Sequence, residues 1–145
     1  MYKASTVAAY VVWFYNQHNK TINNIKLHKI LYFLQAEFLV GKGIPCFSDE
    51  IEAWETGPVV PDVYREYKKF GNSAIPVMFT GPFNITVGDE IMIVNILKTS
   101  FKFSTFDLMC LSQNQTPWIR AYNRPGNNRT IYNNSIVEFF KNKEK

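Results

Sequence analysis

The stretch NNIKLHKILYFLQAEFLV, residues 23–40, decides the fold of this chain. Asn23 belongs to the residue types that cap the first turn of a helix, and Gly41 and Gly43 are typical of a helix end. Between them, apolar residues recur at intervals of three and four, the period of an α-helix. Lys26, Lys29 and Glu37 lie off the resulting stripe. The helix is therefore predicted to be buried along one side, through Leu27, Ile30, Leu31, Leu34 and Phe38.

The other segments predict further helices joined by loops. The first of them, after a cap at Ser5, is apolar on nearly every side, which is typical of a helix at the centre of a bundle. Apolar and polar residues alternate at residues 51–54, which indicates a short strand, and residues 72–88 form a loop with at most a weak hairpin. The predicted helices cover residues 6–17, residues 59–70 after Gly57-Pro58, residues 89–101, a segment from the cap Ser104 or Thr105 to residue 111, a segment from the cap Thr116 to residue 122, and residues 131–143.

Length and composition indicate one globular domain. The chain has 145 residues, of which 46% are hydrophobic and 19% charged, and these values exclude a disordered chain and a coiled coil. We therefore predict a mainly α fold: a single compact domain over residues 1–145, with six or seven helices and a short strand or hairpin element. The formal charge of +4 permits contact with nucleic acid or with an acidic protein but requires neither.

The sequence predicts a cytoplasmic protein. The longest apolar run, residues 7–15, is far shorter than the roughly 20 residues that span a bilayer, so no contact with a membrane is expected. Cys46 and Cys110 are too few for a disulfide framework and fit a reducing compartment, in which each is expected to be a small buried apolar residue.

Residues that could carry catalysis are isolated in the sequence. His18 and His28 have no further ligand at helical spacing, so we expect no metal site and no cofactor. Cys110 lies in an apolar stretch, which disfavours the reactive thiolate. The acidic residues within 49–55 are better explained as a solvated loop than as paired catalytic carboxylates. We therefore predict that the protein is not an enzyme.

One segment has the composition of a nucleic-acid-binding surface. Arg120, Arg124 and Arg129 alternate with Trp118 and Tyr122, as in proteins that bind single strands. No helix-turn-helix, RNA-recognition or zinc-finger signature accompanies them, so solvated arginines at a half-buried helix end explain the pattern better. Residues 141–145 are predicted to form a solvated basic tail.

Three blocks together resemble a known family, the Panacea domain, which was first described as phage-associated. They are KLHKILYFLQA at residues 26–36, IEAWETGPVVPDVY at residues 51–64 and LSQNQTPWIRA at residues 111–121. The resemblance extends from about residue 4 to residue 140, and its middle block is the specific part. Many relatives carry Thr-His where this chain has Ser112-Gln113, a departure that favours a role without catalysis.

The resemblance implies a mostly helical antitoxin of a toxin–antitoxin system, which neutralises a protein toxin encoded by a neighbouring gene by binding it. Two alternatives stay open: a proteolytic adaptor that delivers the toxin to a protease, and a nucleic-acid-binding regulator. Assembly into a homo-oligomer is open as well. The expected partner-binding residues, some of which are also candidates for a purely architectural role, are Trp54, Gly57, Pro58, Val59, Pro61, Tyr64, Trp118, Arg120 and Arg124.

Overall fold

A computed structural model of the chain describes residues 1–143, and within that range the fold is mainly α, as predicted. Two residues of the predicted basic tail, 144 and 145, lie outside the described residues. The seven helices and three strands of the described range are α1 (Ala4–Gln17), α2 (Asn24–Lys42), β1 (Ile51–Trp54), β2 (Gly57–Val59), α3 (Pro61–Tyr67), α4 (Val87–Ser100), α5 (Thr105–Gln113), α6 (Thr116–Tyr122), β3 (Thr130–Ile131) and α7 (Asn133–Lys143).

Helix α2 lies at the centre of the fold. It contacts α1, α3, α4, α5, α7 and β2, so neighbouring elements surround it. The predicted apolar stripe is confirmed, since its five residues are buried. Helix α1 packs against α2 and α3 and is buried over most of its length. The hydrophobic burial of these two helices supplies the main driving force for folding.

The cap at Asn23 and the stop at Gly43 are confirmed for α2, although the helix continues through Gly41 to Lys42, two residues beyond the expected residue 40. The start of α1 was predicted wrongly. The side chain of Asn23 accepts the Lys26 N–H at 2.8 Å, and Gly43 ends the helix in the left-handed conformation with φ of 71°. Helix α1 begins at Ala4 rather than after Ser5. Its first N–H is satisfied from outside the helix, by Asp49 Oδ1 at 2.9 Å, which is a contact that local sequence does not encode.

Side-chain caps also set the starts of α4 and α5. Helix α4 begins before the predicted residue 89, because the Thr86 hydroxyl accepts the Asp89 N–H at 3.3 Å. Of the two residues predicted as possible caps of α5, Ser104 is the cap. Its hydroxyl accepts the Asp107 N–H, and the Asp107 carboxylate accepts the Ser104 N–H. This reciprocal capping box satisfies two N–H groups that a helix start otherwise leaves unpaired.

The last two helices begin at different residues from those predicted. Thr116 is the first residue of α6, not its cap, and the preceding Gln115 makes no side-chain cap because its amide oxygen accepts a hydrogen bond from Tyr32. Helix α7 begins at Asn133 rather than at residue 131, because Thr130 and Ile131 form β3. This strand pairs antiparallel with β1, with Ile131 opposite Ile51.

The chain around Gly57 and Pro58 differs from its prediction. These residues do not open the third helix; they form β2, the second strand of a tight hairpin, with Pro58 opposite Ala53 and Gly57 opposite Trp54. Strand β1 lies in the middle of the sheet, between β2 and β3. Helix α3 therefore begins at Pro61, where the missing N–H of proline is tolerated. Residues 72–86 form the predicted loop and contain no strand.

Over residues 1–143, no helix is both long enough and apolar enough to cross a bilayer.

The end of α2 provides a test of the fold. We expect Gly43→Ala to lower the free energy of unfolding by about 1 kcal/mol, because an L side chain is strained at a positive φ. No atom lies within 4 Å of the added Cβ, so the cost is conformational only. Gly43→Asn is the matched control and is expected to cost less, because asparagine tolerates this region. Urea denaturation measures both, and equal stability of the wild type and the Ala variant would contradict the assignment.

Candidate partner-binding site

Helix α2 carries a buried polar face beside its apolar stripe. Its four side chains follow one another at intervals of four, four and three residues, which places them on one side of the helix. All four are buried, and all four form hydrogen bonds with other parts of the chain, as buried polar groups require. They are Asn24, His28, Tyr32 and Gln35.

The imidazole of His28 connects α2 to the start of α3. Its Nε2 donates to Asn24 Oδ1 at 2.9 Å and its Nδ1 accepts the Val60 N–H at 3.1 Å, a pairing that assigns the neutral tautomer with the proton on Nε2. Burial, with a smaller effect from the charge of Lys29, lowers the His28 pKa to about 3. Asn24 continues the chain of contacts by donating to the Tyr64 carbonyl. Asn24 and His28 thus fix α3 on α2.

Lys29 is buried beneath the hairpin. Its exposed fraction is 0%, and its Nζ donates to the carbonyl oxygen of Pro58 at 2.9 Å. Burial lowers the pKa of this ammonium group to about 7. The position of Lys29 off the apolar stripe did not predict this burial, nor that of Lys26, whose ammonium lies 5.2 Å from the ring centre of Tyr15. Both lysines are covered because α2 has neighbours on all sides.

Gln35 and Tyr32 hold two further segments against α2. The amide oxygen of Gln35 accepts the N–H groups of Cys46 and Phe47 at 2.8 and 3.1 Å, and its nitrogen donates to the Phe47 carbonyl. The Tyr32 hydroxyl donates to the Gln115 side chain at 2.7 Å. Polar side chains of α2 therefore position the loop before β1, strand β2, the start of α3 and the start of α6.

Gly57 is the point of closest approach between the hairpin and the helices. Its φ is 114°, and an added Cβ would lie 2.8 Å from Lys29 Cε and 3.1 Å from Ser112 Oγ. The neighbouring Gln113 donates from its side chain to the Glu55 carbonyl at 2.7 Å. The adjacent residues Ser112 and Gln113 thus contact the hairpin at two points: Ser112 lies beside Gly57, and Gln113 holds the turn.

Four aromatic residues surround this hairpin on the outside, and we call them the hairpin surface. The rings of Trp54 and Tyr64 are T-shaped with centres 5.0 Å apart, and those of Trp118 and Tyr122 are stacked at 4.6 Å. Trp118 Nε1 donates to the Trp54 carbonyl at 2.9 Å, which joins the two pairs. Each of the four side chains keeps part of its surface exposed. The surface is therefore aromatic, partly open and held in place by hydrogen bonds.

The structure separates the predicted partner-binding residues by their accessibility. Those of β2 are buried, so they support the hairpin from within. The half-buried ones reach the surface with part of their side chains. The buried set is Gly57, Pro58 and Val59; the half-buried set is Trp54, Pro61, Tyr64, Trp118 and Arg124; Arg120 is exposed.

Two of the three arginines in the candidate nucleic-acid-binding segment hold their own loop together. The guanidinium of Arg124 lies 5.1 Å from the ring centre of Tyr132 and donates to the Asn128 carbonyl. Arg129 donates to the carbonyls of Arg124 and Gly126 at 2.9 and 2.8 Å. Arg120 lines a cleft between α6 and α7 together with Glu138. These contacts favour the architectural alternative for this segment.

Candidate metal ligands are not grouped together in the described part of the chain. Residues 1–143 contain no group of three His, Cys, Asp or Glu side chains placed to hold a metal ion. Burial raises the pKa of the Cys46 thiol to about 12, which keeps it protonated. The predicted acidic loop lines a shallow cleft beside Pro61, where Asp49 is occupied as the cap of α1.

Fold and site together define a mainly helical domain in which a central helix holds a β-hairpin through buried polar contacts. The family model "Antitoxin SocA-like, Panacea domain" matches residues 27–119, a range that contains most of α2, the whole hairpin and the Pro-Trp segment of α6. The chain belongs to this family, so the predicted resemblance is confirmed.

Among curated proteins, the chain is similar to Antitoxin SocA of Caulobacter vibrioides (strain NA1000 / CB15N). The two are 35% identical over 119 residues, which cover 74% of this chain and 63% of that relative. The match therefore spans less than two thirds of the relative's length. No solved structure matches the chain.

The buried ammonium of Lys29 predicts a pH-dependent stability. An unfolded chain keeps this lysine protonated up to about pH 10.5, whereas the folded chain releases the proton near pH 7. Because the unfolded state binds more protons in this window, the contribution of Lys29 to the free energy of unfolding rises with pH, by up to about 1.4 kcal/mol per unit. We expect Lys29→Met to remove this rise.

Urea denaturation at several values between pH 7 and pH 9.5 measures this effect, below the range in which tyrosines titrate. The stability difference between wild type and Lys29→Met should change steadily with pH. The same difference for Lys68→Met, which alters an exposed lysine, should stay constant. A constant difference for both variants would show that Lys29 does not carry a depressed pKa.

The contact at Gly57 predicts a large cost for one added methyl group. We expect Gly57→Ala to destabilise the fold by about 3 kcal/mol or more, because a positive φ and a steric overlap with Lys29 act together. Gly126→Ala is the matched control: its φ is also positive, at 88°, but nothing lies within 4 Å of the added Cβ. Its expected cost is about 1 kcal/mol. Equal thermal shifts for the two variants would contradict close packing beneath the hairpin.

Proposed function

We propose that this protein is the antitoxin of a toxin–antitoxin system and neutralises a protein toxin by binding it, without catalysis. The observation that carries the proposal is the family match over residues 27–119, which includes every element that builds the hairpin. The name of the similar curated protein, Antitoxin SocA, supports the same role. The toxin is encoded by a neighbouring gene, and both proteins act in the cytoplasm.

The hairpin surface is the proposed contact with the toxin. Tryptophan and tyrosine dominate binding energy at protein interfaces, and here four such rings lie around one turn. The hydrogen bond from Trp118 to the Trp54 carbonyl fixes their arrangement before binding, which lowers the entropy lost on association. Pro61, Arg120 and Arg124 extend the contact. Gly57, Pro58 and Val59 support it from below.

Occlusion is the proposed mechanism: a preformed surface covers the region of the toxin that acts on its target. A nanomolar complex requires about 12 kcal/mol of binding free energy, which an interface of standard size provides. The proposed arrangement needs no metal, cofactor or reactive thiol.

Co-expression tests the antitoxin role. The adjacent open reading frame is expected to arrest growth when expressed alone and to become harmless when this protein is co-expressed. A reading frame that is harmless alone, or one that stays lethal beside this protein, would reject the role.

The half-life of the toxin, measured with and without the host proteases, then separates the mechanisms. Occlusion leaves the half-life unchanged, whereas delivery by a proteolytic adaptor shortens it only when the protease is present.

A variant of the hairpin surface tests where the toxin binds. We expect Tyr122→Ala to weaken the complex about tenfold or more, because it removes an exposed ring stacked on Trp118. Phe79→Ala is the matched control: it too removes an exposed ring with a single aromatic partner, Phe83, in the loop between α3 and α4. Calorimetric titration measures both affinities, and thermal melting checks both folds. Equal binding by the two variants would move the contact away from the hairpin surface.

A further inference from the structure

The junction of α4 and α5 carries an apolar surface that no described residue covers. Phe106, at the second position of α5, is 70% exposed, more than any other aromatic side chain in residues 1–143. Beside it lies an open depression. We call this surface the α5 patch; its residues are Lys102, Phe103, Phe106, Asp107, Cys110 and Leu111.

The patch continues into a deeper apolar groove. Phe103 and Leu111 line both the depression and a groove between α2, α4 and α5, whose opposite wall includes Ile30 and Phe33. Leu111 is itself exposed. Large apolar side chains grouped in this way on a surface mark a contact with another macromolecule more often than chance exposure.

Local folding does not explain Phe106. The start of α5 is capped by Ser104 and Asp107, which satisfy each other's N–H groups, so the residue between them is not required to be aromatic. The phenyl ring instead leaves its apolar surface in water, which is unfavourable unless a partner covers it. A polar residue at this position would avoid the exposure of apolar surface to water in an isolated chain.

The α5 patch is complementary to itself. It contains an exposed ring, Phe106, beside a depression whose apolar lining includes Phe103 and Leu111. Its margin carries one positive and one negative side chain, Lys102 and Asp107. Asp107 uses Oδ2 in the capping box, which leaves Oδ1 for a second partner. Twofold contacts require this combination, because each patch must bind an identical copy of itself.

We propose that the chain forms a twofold dimer through the α5 patch. Phe106 of each copy packs in the depression of the other, against Phe103 and Leu111, and Lys102 of each copy faces Asp107 of the other. The balanced charges of the patch allow two chains of formal charge +4 to meet without repulsion at the contact. The dimer leaves the proposed toxin contact to the hairpin surface and does not depend on it.

Sedimentation equilibrium on the full chain, from low micromolar to several hundred micromolar, tests the dimer. The wild type is expected to self-associate. Phe106→Glu should raise the dissociation constant of the dimer roughly tenfold or more, because a carboxylate replaces a buried ring. Glutamate in the first turn of α5 is favoured by the helix dipole, so this variant should fold. Ile91→Glu, in the first half of α4 and 58% exposed in the wild type, is the matched control and should leave the constant unchanged.

Cross-linking places the twofold axis. Cys46 is fully buried as predicted, whereas Cys110 is only half-buried, contrary to the prediction, and lines the patch. A short bismaleimide therefore reports on Cys110 in the folded protein. The proposal predicts a covalent dimer that Cys110→Ser and Phe106→Glu both abolish. A wild type that stays monomeric, a dimer that Phe106→Glu leaves intact, or a dimer that the reagent does not link would each overturn it. A monomeric wild type whose Phe106→Glu variant loses toxin binding would assign the patch to the toxin instead.

Discussion

The hydrogen bond from the buried ammonium of Lys29 to the carbonyl of Pro58 is the constraint on which the hairpin depends. It joins the first half of α2 to β2 across 29 residues of sequence. A lysine head group in the interior is costly unless it is paired, so the hairpin has to close over it. The same contact requires glycine at position 57, because the Cβ of any larger residue would overlap the side chain of Lys29. Two sequence blocks that resemble the family motifs are thus two sides of one contact.

This contact changes how those motifs are understood. Several polar residues of the first motif hold segments of the chain together: His28 holds α3, Tyr32 holds α6, and Gln35 holds the loop before β1. Asn24, just before that motif, also holds α3. The aromatic side chains of the hairpin surface keep part of their area exposed, so under the proposed function they are the ones that meet the toxin. The buried polar contacts beneath them form a rigid support for this partly open surface.

Periodicity and capping residues predicted much of the fold. The apolar stripe of α2, the cap at Asn23 and the helix end at Gly43 follow from local chemistry and are confirmed. The burial of Lys29, the β2 strand at Gly57–Val59 and the Asp49 cap of α1 depend on residues far apart in sequence, so no local pattern encodes them. For the candidate site, sequence reasoning named Trp54, Tyr64 and Trp118, whose role in binding stays a prediction, but it missed the buried polar face of α2. The spacing of residues 24, 28, 32 and 35 was the signal that could have revealed it.

The neutral state of His28 affects the stability of the folded chain at acidic pH. Protonation would turn Nδ1 from an acceptor into a donor that faces the Val60 N–H, so the folded chain resists it and the pKa lies near 3. An unfolded chain takes up that proton already near pH 6.5. Stability is therefore lost as the pH falls from 6.5 towards 3. One interior imidazole thus adds a loss of stability in acid that does not depend on the charges at the surface of the protein.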